Sequence, residues 1–284
     1  MREGTPSAAL DPDTEARSRP HVIEGLLAAA TTRVVLADPQ GRLALDGDRL
    51  DVLTGPVAAD LYVYLGKDPH GDAHVLALGP EHPGREYRDL RIAVHELPEA
   101  ERAVAVPAVA MAQWHRLHPH CPRCGTVTRV SEAGWVRLCP ACGTEHHPRT
   151  DPAVIVAVVD DADRLLLAHA AHFPAGRWSV IAGYVEPGES LERAVVREVR
   201  EEVAIEVDRV RYRGSQPWPF PRSLMCAFVT RAPGAQEPRV DGREILAARF
   251  FTRAALAEAV AAGDLTLPGP ASVASALVAA WMAG

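Results

Sequence analysis

No run of apolar residues in this 284-residue chain approaches the roughly 20 needed to cross a bilayer, so a membrane-spanning helix is not expected. The opening MREGTPSAALDPDTEARSRP lacks a hydrophobic signal core. That argues against secretion and for a cytoplasmic protein, and the segment reads as a polar, mobile tail. Internal repeats and low-complexity segments are not evident either, and the chain reads as globular. An excess of positive charge is also missing: 30 Lys and Arg stand against 37 Asp and Glu, a net charge of −7. Such a chain needs local positive charge to hold a polyanion. Broad nucleic-acid binding is therefore not expected, although one nucleotide or one RNA end remains compatible.

The length suits two domains rather than one. Five cysteines are present, and four are paired by spacing, Cys121-Pro-Arg-Cys124 and Cys139-Pro-Ala-Cys142, each pair followed by Gly. Two such knuckles around a hairpin-sized segment form the pattern of a zinc ribbon. Four thiolates close the tetrahedron of one Zn²⁺ per chain and leave no position for substrate, so the role is structural. Disulfides are the competing reading, and a cytosolic chain rarely keeps them. Trp135, between the knuckles, is expected to pack over them. Cys226 sits alone in an apolar run and reads as packing.

TRVVLA, GRLALDGDRLDVL, ADLYVYLG and AHVLALG read as strands with Gly, Pro and Asp turns. Residues 98–118 read as helical, with Pro107 kinking the helix or starting a second one. Further on, AVIVAVV is a buried strand paired with RLLLAHA, and RWSVIAG follows. VDRVRYRGS, LMCAFVT and LAARFFT are strands, and two helices, 253–262 and 271–282, finish the chain. Strands interleaved with helices imply an α/β sandwich.

The most informative stretch is GYVEPGESLERAVVREVREEVAI, from Gly183 to Ile205. Glu198, Glu201 and Glu202 stand at i, i+3 and i+4, which puts three like charges on one helical face, where they repel. A shared hard cation such as Mg²⁺ or Mn²⁺ removes the penalty, and the usual substrate of such a site is a phosphate ester or anhydride. A solvated acidic face is the plain alternative. Ser190 can cap the helix, Arg197 can pair with Glu189, and Leu191, Val195, Val199 and Val203 give a buried side at every fourth residue.

Gly-x5-Glu-x7-Arg-Glu-Val-x-Glu-Glu resembles the Nudix box, the loop–helix–loop signature of Nudix hydrolases. One position departs from it: the box has Gly where this chain has Ala204, and a local adjustment at the helix end is expected. A second motif, SQPWPFPRS, carries Pro217, Pro219 and Pro221, which forbid a helix or a central strand and should hold Trp218 and Phe220 on a stiff loop. Such fixed aromatics can stack on a nucleobase or a nicotinamide ring. Beside the box, this segment is similar to the substrate motif of the NADH pyrophosphatase (NudC) branch. So are the four-cysteine ribbon, the approach Trp114-His115-x2-His118, and the PRTDPAVI junction.

The resemblance, which covers about Arg91 to the C-terminus, implies an α/β fold: a Nudix α/β/α sandwich with a mixed sheet over residues 149–284, preceded by a zinc ribbon (119–148). Ahead of them the residues themselves read as an N-terminal α+β domain (21–118) and a disordered tail (1–20). It implies hydrolysis of NAD(H) to nicotinamide mononucleotide and AMP with two to three Mg²⁺ or Mn²⁺ ions, removal of NAD caps from RNA 5′ ends, and a homodimer in which one subunit's Trp loop completes the other's site. The implied metal and catalytic positions are Glu198, Glu201, Glu202, Glu244 and the backbone carbonyl of Ala182, with Glu201 or Glu244 as the base. Gly183, Glu189 and Arg197 support the box. Substrate contacts are implied at Tyr184, Gln216, Pro217, Trp218, Pro219, Phe220, Pro221, Arg222, Ser223 and Ala274, and Arg91 could reach a phosphate. The family often has an aromatic where this chain has His147, which can stack more weakly. Alternatives are a broader hydrolase of ADP-ribose or diadenosine polyphosphates, a non-catalytic nucleotide sensor, or a ribbon adaptor for RNA or protein.

Overall fold

The computed structural model describes residues 10–284. They divide into an N-terminal unit that runs to Arg149 and includes Pro219–Arg222, and a C-terminal unit of Thr150–Trp218 and Ser223–Gly284. Among the described residues no helix is long and apolar enough to cross a membrane. Of the tail expected over residues 1–20, residues 1–9 lie outside the described residues. The remainder is held in place rather than loose. Asp11 exchanges two 2.8 Å backbone hydrogen bonds with Lys67, Asp13 accepts from Tyr64 Oη at 2.8 Å, and Ala16 is buried.

The N-terminal unit opens with α1 (Val22–Ala28) and a seven-stranded sheet: β1 (Arg33–Ala37), β2 (Leu43–Asp46), β3 (Arg49–Leu50), β4 (Val52–Leu53), β5 (Leu61–Lys67), β6 (Ala73–Leu78) and β7 (Glu86–Arg88). After the short α2 (Leu90–Ala93) comes α3 (Glu99–Leu117), which runs through Pro107, so no second helix starts there. Pro107 removes one amide donor. Val104, Ala105, Ala108, Val109 and Ala112 on either side of it are buried, and that burial offsets one missing hydrogen bond.

The ribbon is a three-stranded sheet of β8 (Arg129–Ser131), β9 (Val136–Leu138) and β10 (Glu145–His146). The four Sγ atoms lie within 4.8 Å of one another, with separations of 3.7 Å (Cys121–Cys142), 3.4 Å (Cys124–Cys139) and 3.7 Å (Cys124–Cys142). A tetrahedron of thiolates on Zn²⁺ has edges of about 3.8 Å, whereas a disulfide brings its sulfurs to about 2.05 Å. The donor set therefore fits a structural zinc. Trp135 does not cover the knuckles as expected. Gly134, at φ 98°, lies so close to Val63 that a Cβ would sit 2.7 Å from it. This close approach carries Trp135 onto the N-terminal sheet, where Nε1 donates to Tyr64 O at 2.7 Å beneath the Arg17 guanidinium. Arg137 is buried, donating to Thr128 Oγ1 at 2.7 Å and to His115 Nδ1 at 2.9 Å. His115 Nε2 faces Gly134 O at 2.8 Å, and burial pushes its pKa down to about 4, so the ring stays neutral and can accept from the arginine.

The C-terminal unit is a six-stranded mixed sheet: β11 (Asp151–Asp160), β12 (Leu165–Ala170), β13 (Ile181–Tyr184), β14 (Asp208–Trp218), β15 (Ser223–Ala232) and β16 (Ile245–Phe251). β11 alternates strictly. Val154, Val156 and Val158 face the core beneath α4 (Leu191–Val203), and Ile155 and Ala157 face the core shared with α5 (Arg253–Ala261) and α6 (Val273–Met282). A helix layer on each face makes the α/β/α sandwich. The sequence SQPW, expected in a loop, continues β14. This strand is at the sheet edge, where Pro217 need not donate a ladder hydrogen bond.

The two sheets repeat one topology, although no repeat is visible in the sequence. β1 pairs antiparallel with β2 and parallel with β6, which pairs antiparallel with β5. β11 pairs in the same way with β12, β15 and β14. Even the first hairpin turn recurs. Arg42 N–H and Arg164 N–H donate to Asp38 and Asp160 Oδ1 at 2.8 and 2.7 Å, and each arginine Nε donates to the same aspartate's Oδ2 at 2.7 Å. Only the C-terminal unit inserts a carboxylate-bearing helix between the hairpin and the next strand.

Candidate active site

Helix α4 starts where Ser190 Oγ accepts the Arg193 N–H at 3.3 Å and buries Val195, Val199 and Val203. It ends at Ala204, which takes the left-handed conformation itself (φ 54°, ψ 34°) with its N–H on Arg200 O at 3.0 Å. No local adjustment replaces the missing glycine. Ala204→Gly should accordingly raise stability by up to about 1 kcal/mol. This is readable as a rise of about 2–4 °C in the melting temperature, and an unchanged or lower value would show that the cap is not strained.

One cleft of about 740 Å³ collects Ala182, Gly183, Tyr184, Glu198, Glu202 and Glu244. The three box glutamates do not share it equally. Glu198 is buried and Glu202 is half-buried, but the Glu201 side chain is 59% exposed and outside the cleft lining. Helical residues advance about 100° each, so Glu202 falls 40° from Glu198 and Glu201 falls about 60° to the other side, toward solvent. Arg197 binds the support residue Glu189 through both oxygens at 2.9 and 2.8 Å, and also Glu198 at 2.8 Å, Glu201 at 3.0 Å and the Tyr184 carbonyl at 2.9 Å. The Glu189 pairing is the largest of the interactions that hold the guanidinium well above its usual pKa. Gly183 is fitted to Glu198: a Cβ there would lie 2.0 Å from the Glu198 carboxyl carbon.

The electrostatics of the cleft are strained in one direction. Burial first, then the charges of Glu198, Glu244, Asp241 and Glu201, push Glu202 up to about 8. Burial likewise raises Glu198, against the opposing hydrogen bond from Arg197. Carboxyl groups crowded until one keeps its proton near neutrality offer an oxygen-rich donor set that suits a hard divalent cation. Glu244 is delivered by the turn before β16, where Asp241 Oδ1 accepts the backbone N–H groups of Arg243 (3.0 Å), Glu244 (3.1 Å) and Ile245 (3.1 Å).

The other expected contacts are dispersed. Tyr184 Oη lies 3.2 Å from Ser223 Oγ at the end of the sheet. Gln216 has both ends of its amide occupied, donating to Ala271 O and accepting from Val273 N–H at 2.7 Å each, so it clamps the start of α6. Ala274 is buried within that helix's core face, and Pro217 lies opposite Leu224 in β14. Trp218 ends β14, while Pro219, Phe220, Pro221 and Arg222 form the turn that belongs to the N-terminal unit, where Arg91 lies over the Phe220 ring at 5.3 Å. His147 is exposed in the N-terminal unit. The cleft also contains His172, Phe173, Glu186 and Arg243, which sequence reasoning missed. Only Arg243 had a signal, its place beside Glu244.

A family model described as NUDIX domain matches residues 149–267, and one described as NADH pyrophosphatase zinc ribbon domain matches residues 116–146. The NAD-capped RNA hydrolase NudC of Mycobacterium bovis (strain BCG / Pasteur 1173P2) is 40% identical over 237 residues, covering 78% of this chain and 75% of the relative. The NAD-capped RNA hydrolase NUDT12 of Homo sapiens is 37% identical over 202 residues, covering 67% of this chain and 44% of the relative. Among solved structures, a Nudix hydrolase from Nitrosomonas europaea aligns with a TM-score of 0.39 at 26% identity, covering 48% of this chain and 78% of that chain.

Proposed function

Because the chain belongs to the NudC-type family of Nudix hydrolases, we propose that it hydrolyses the diphosphate of NAD(H) to nicotinamide mononucleotide and AMP and removes NAD caps from RNA 5′ ends. The observation that carries this reading is the convergence of Glu198, Glu202 and Glu244 on one cleft, with Glu202 pushed up to about 8. These carboxylates, with the Ala182 carbonyl, would hold Mg²⁺ or Mn²⁺, which when bound neutralises a diphosphate and lowers the pKa of a bound water. Arg197 keeps Glu198 and the Tyr184 carbonyl in place around that donor set. Of the two candidate bases we favour Glu244, which lines the cleft, over Glu201, which faces solvent and pairs with Arg197. The water's oxygen bonds to one phosphorus as the P–O–P bridge breaks, giving two monophosphates. Tyr184 and Trp218 supply ring faces for the base or the nicotinamide, and a homodimer is the assembly we expect.

Product analysis by chromatography tests the reading with NADH, NAD⁺, ADP-ribose and an NAD-capped RNA. AMP and nicotinamide mononucleotide should appear only when Mn²⁺ or Mg²⁺ is supplied, with NADH cut faster than ADP-ribose, and chelation should abolish turnover. Intact dinucleotide in the presence of Mn²⁺ would overturn the assignment, and faster cleavage of ADP-ribose would move it to the broader hydrolases.

A further inference from the structure

An acidic chain holds a polyanion only where positive charge is gathered, and the C-terminal unit gathers it along one strand. Arg209, Arg211 and Arg213 of β14, with Arg231 of β15, line an open groove of about 290 Å³ that shares no residue with the carboxylate cleft. Side chains two apart on a strand stand about 6.6 Å from each other on one face. β14 departs from a plain strand, because its register to β15 shifts between Asp208 and Arg211 and again between Tyr212 and Gly214. Arg209, at the first shift, takes a left-handed φ of 51°, which an arginine adopts only at a cost. Such irregularities re-aim side chains at an edge.

The opposite wall carries Asp160, Asp161 and Asp163, but each already has a cation: Arg164 at 2.7 Å, Arg231 at 2.7 Å, and Arg253. Arg209 adds its field at Asp161. Arg211 and Arg213 are exposed, and among the described residues no ion pair occupies either. The groove thus keeps unspent guanidinium groups, the side chain best matched to phosphate oxygens. It also has a fixed relation to the cleft. Gly183 lies opposite Val154, and Arg211 opposite Val229, itself opposite Ala157. Three strand spacings across and three residues along give about 17 Å in the plane of the sheet. Val154 packs beneath α4 whereas Ala157 and Val229 pack toward α5 and α6, so an RNA reaches the groove by passing round the β14 edge, a path longer than about five stacked nucleotides.

We propose that this groove binds the phosphodiester chain of an RNA whose 5′ dinucleotide occupies the carboxylate cleft, an inference that rests on the proposed function. A free dinucleotide ends before reaching it. The arginines hold phosphates and not base edges, so the grip is independent of sequence.

The test compares the full chain with its Arg211→Glu/Arg213→Glu variant. On an NAD-capped RNA of twenty nucleotides, kcat/KM should fall about tenfold or more, and the slope of its logarithm against log salt should flatten by about 1.4 for two lost phosphate contacts. NADH turnover should stay within about twofold, because neither arginine lines the cleft. A separate arm reads fluorescence anisotropy of an uncapped RNA of the same sequence on the Glu202→Gln protein, with and without the charge reversals. That arm keeps its answer even if the capped RNA is never cut, so failure of the groove and failure of the hydrolase reading can be told apart. Equal losses on NADH and RNA, or RNA binding untouched by the reversals, would overturn the proposal. Displacement of RNA by polyglutamate as effectively, per charge, as by RNA would overturn it too and assign the groove to an acidic peptide.

Discussion

Glu202→Gln should lower NADH turnover by roughly 10²–10⁴-fold, the range expected when a group acting directly on the reacting water or its cation is lost. The fold should survive, and without divalent cation it should become more stable at high pH. The sign follows from where the proton sits. An ordinary glutamate releases its proton near 4.5, as Glu202 does in the unfolded chain, whereas the folded protein holds it up to about 8. The raised folded value means that Glu202's contribution is fully present below about 4.5 and is lost as pH rises through 8. The chelated wild-type protein should therefore lose stability across that window, and the glutamine variant should lose less. Mn²⁺ reverses the trend for the wild type, because it binds the deprotonated carboxylate and so binds more strongly as pH approaches 8. Thermal melts from pH 5 to 9, in chelator and in Mn²⁺, read all of this. Near-normal hydrolysis by the variant, or identical pH profiles for the two proteins, would remove Glu202 from the centre of the site.

The parts of this molecule legible in the sequence are those set by neighbours along the chain. The period of four in Val195, Val199 and Val203, with Ser190 ahead of them, is a local signal, and it describes α4. The doubled C-x-x-C-G is another: Gly125 and Gly143 take φ of 75° and 71° and return their N–H groups to Cys121 and Cys139 carbonyls at 2.8 and 3.0 Å. Alternation in β11 is a third. What stayed hidden depends on partners far away in sequence. Helical spacing groups Glu201 with Glu198 and Glu202, but the sheet on which α4 lies decides which of them is covered. Trp135 goes to Tyr64 because Gly134 lets the ribbon approach Val63. Gln216 reads as a free hydrogen-bonding group beside the aromatics, and it is α6 that occupies it. The repeated sheet topology escaped because, beyond apolar strand positions that any buried hairpin has, the residues shared by the two hairpins are an Asp and an Arg four apart, at Asp38/Arg42 and Asp160/Arg164, too short a pattern to stand out before the hairpins are seen.

Gly183→Ala is the sharper probe of how the box is built, because it adds one methyl group and removes no carboxylate. The new Cβ would lie 2.0 Å from the Glu198 carboxyl carbon and 2.1 and 2.2 Å from its oxygens, so that carboxylate must move. The displaced atoms are the end of a side chain, which can swing aside, and β13 keeps its pairing with β11 across Val154 and Ile155. Stability should then change little, within about 1 kcal/mol. Activity should not be spared, since a shift of about 1 Å in a positioning group can cost about 100-fold. We expect kcat/KM for NADH to fall by at least that factor, with more Mn²⁺ required for half-activation. Glu198→Gln gives the decisive comparison. If the methyl group acts only by evicting the Glu198 carboxylate, adding Gly183→Ala to the Glu198→Gln protein should cost almost nothing further, a coupling nearly as large as the single effect. Fully additive losses would mean that the glycine serves the site in some other way, and near-normal turnover in the single variant would mean that Glu198 need not lie against the β13 backbone at all.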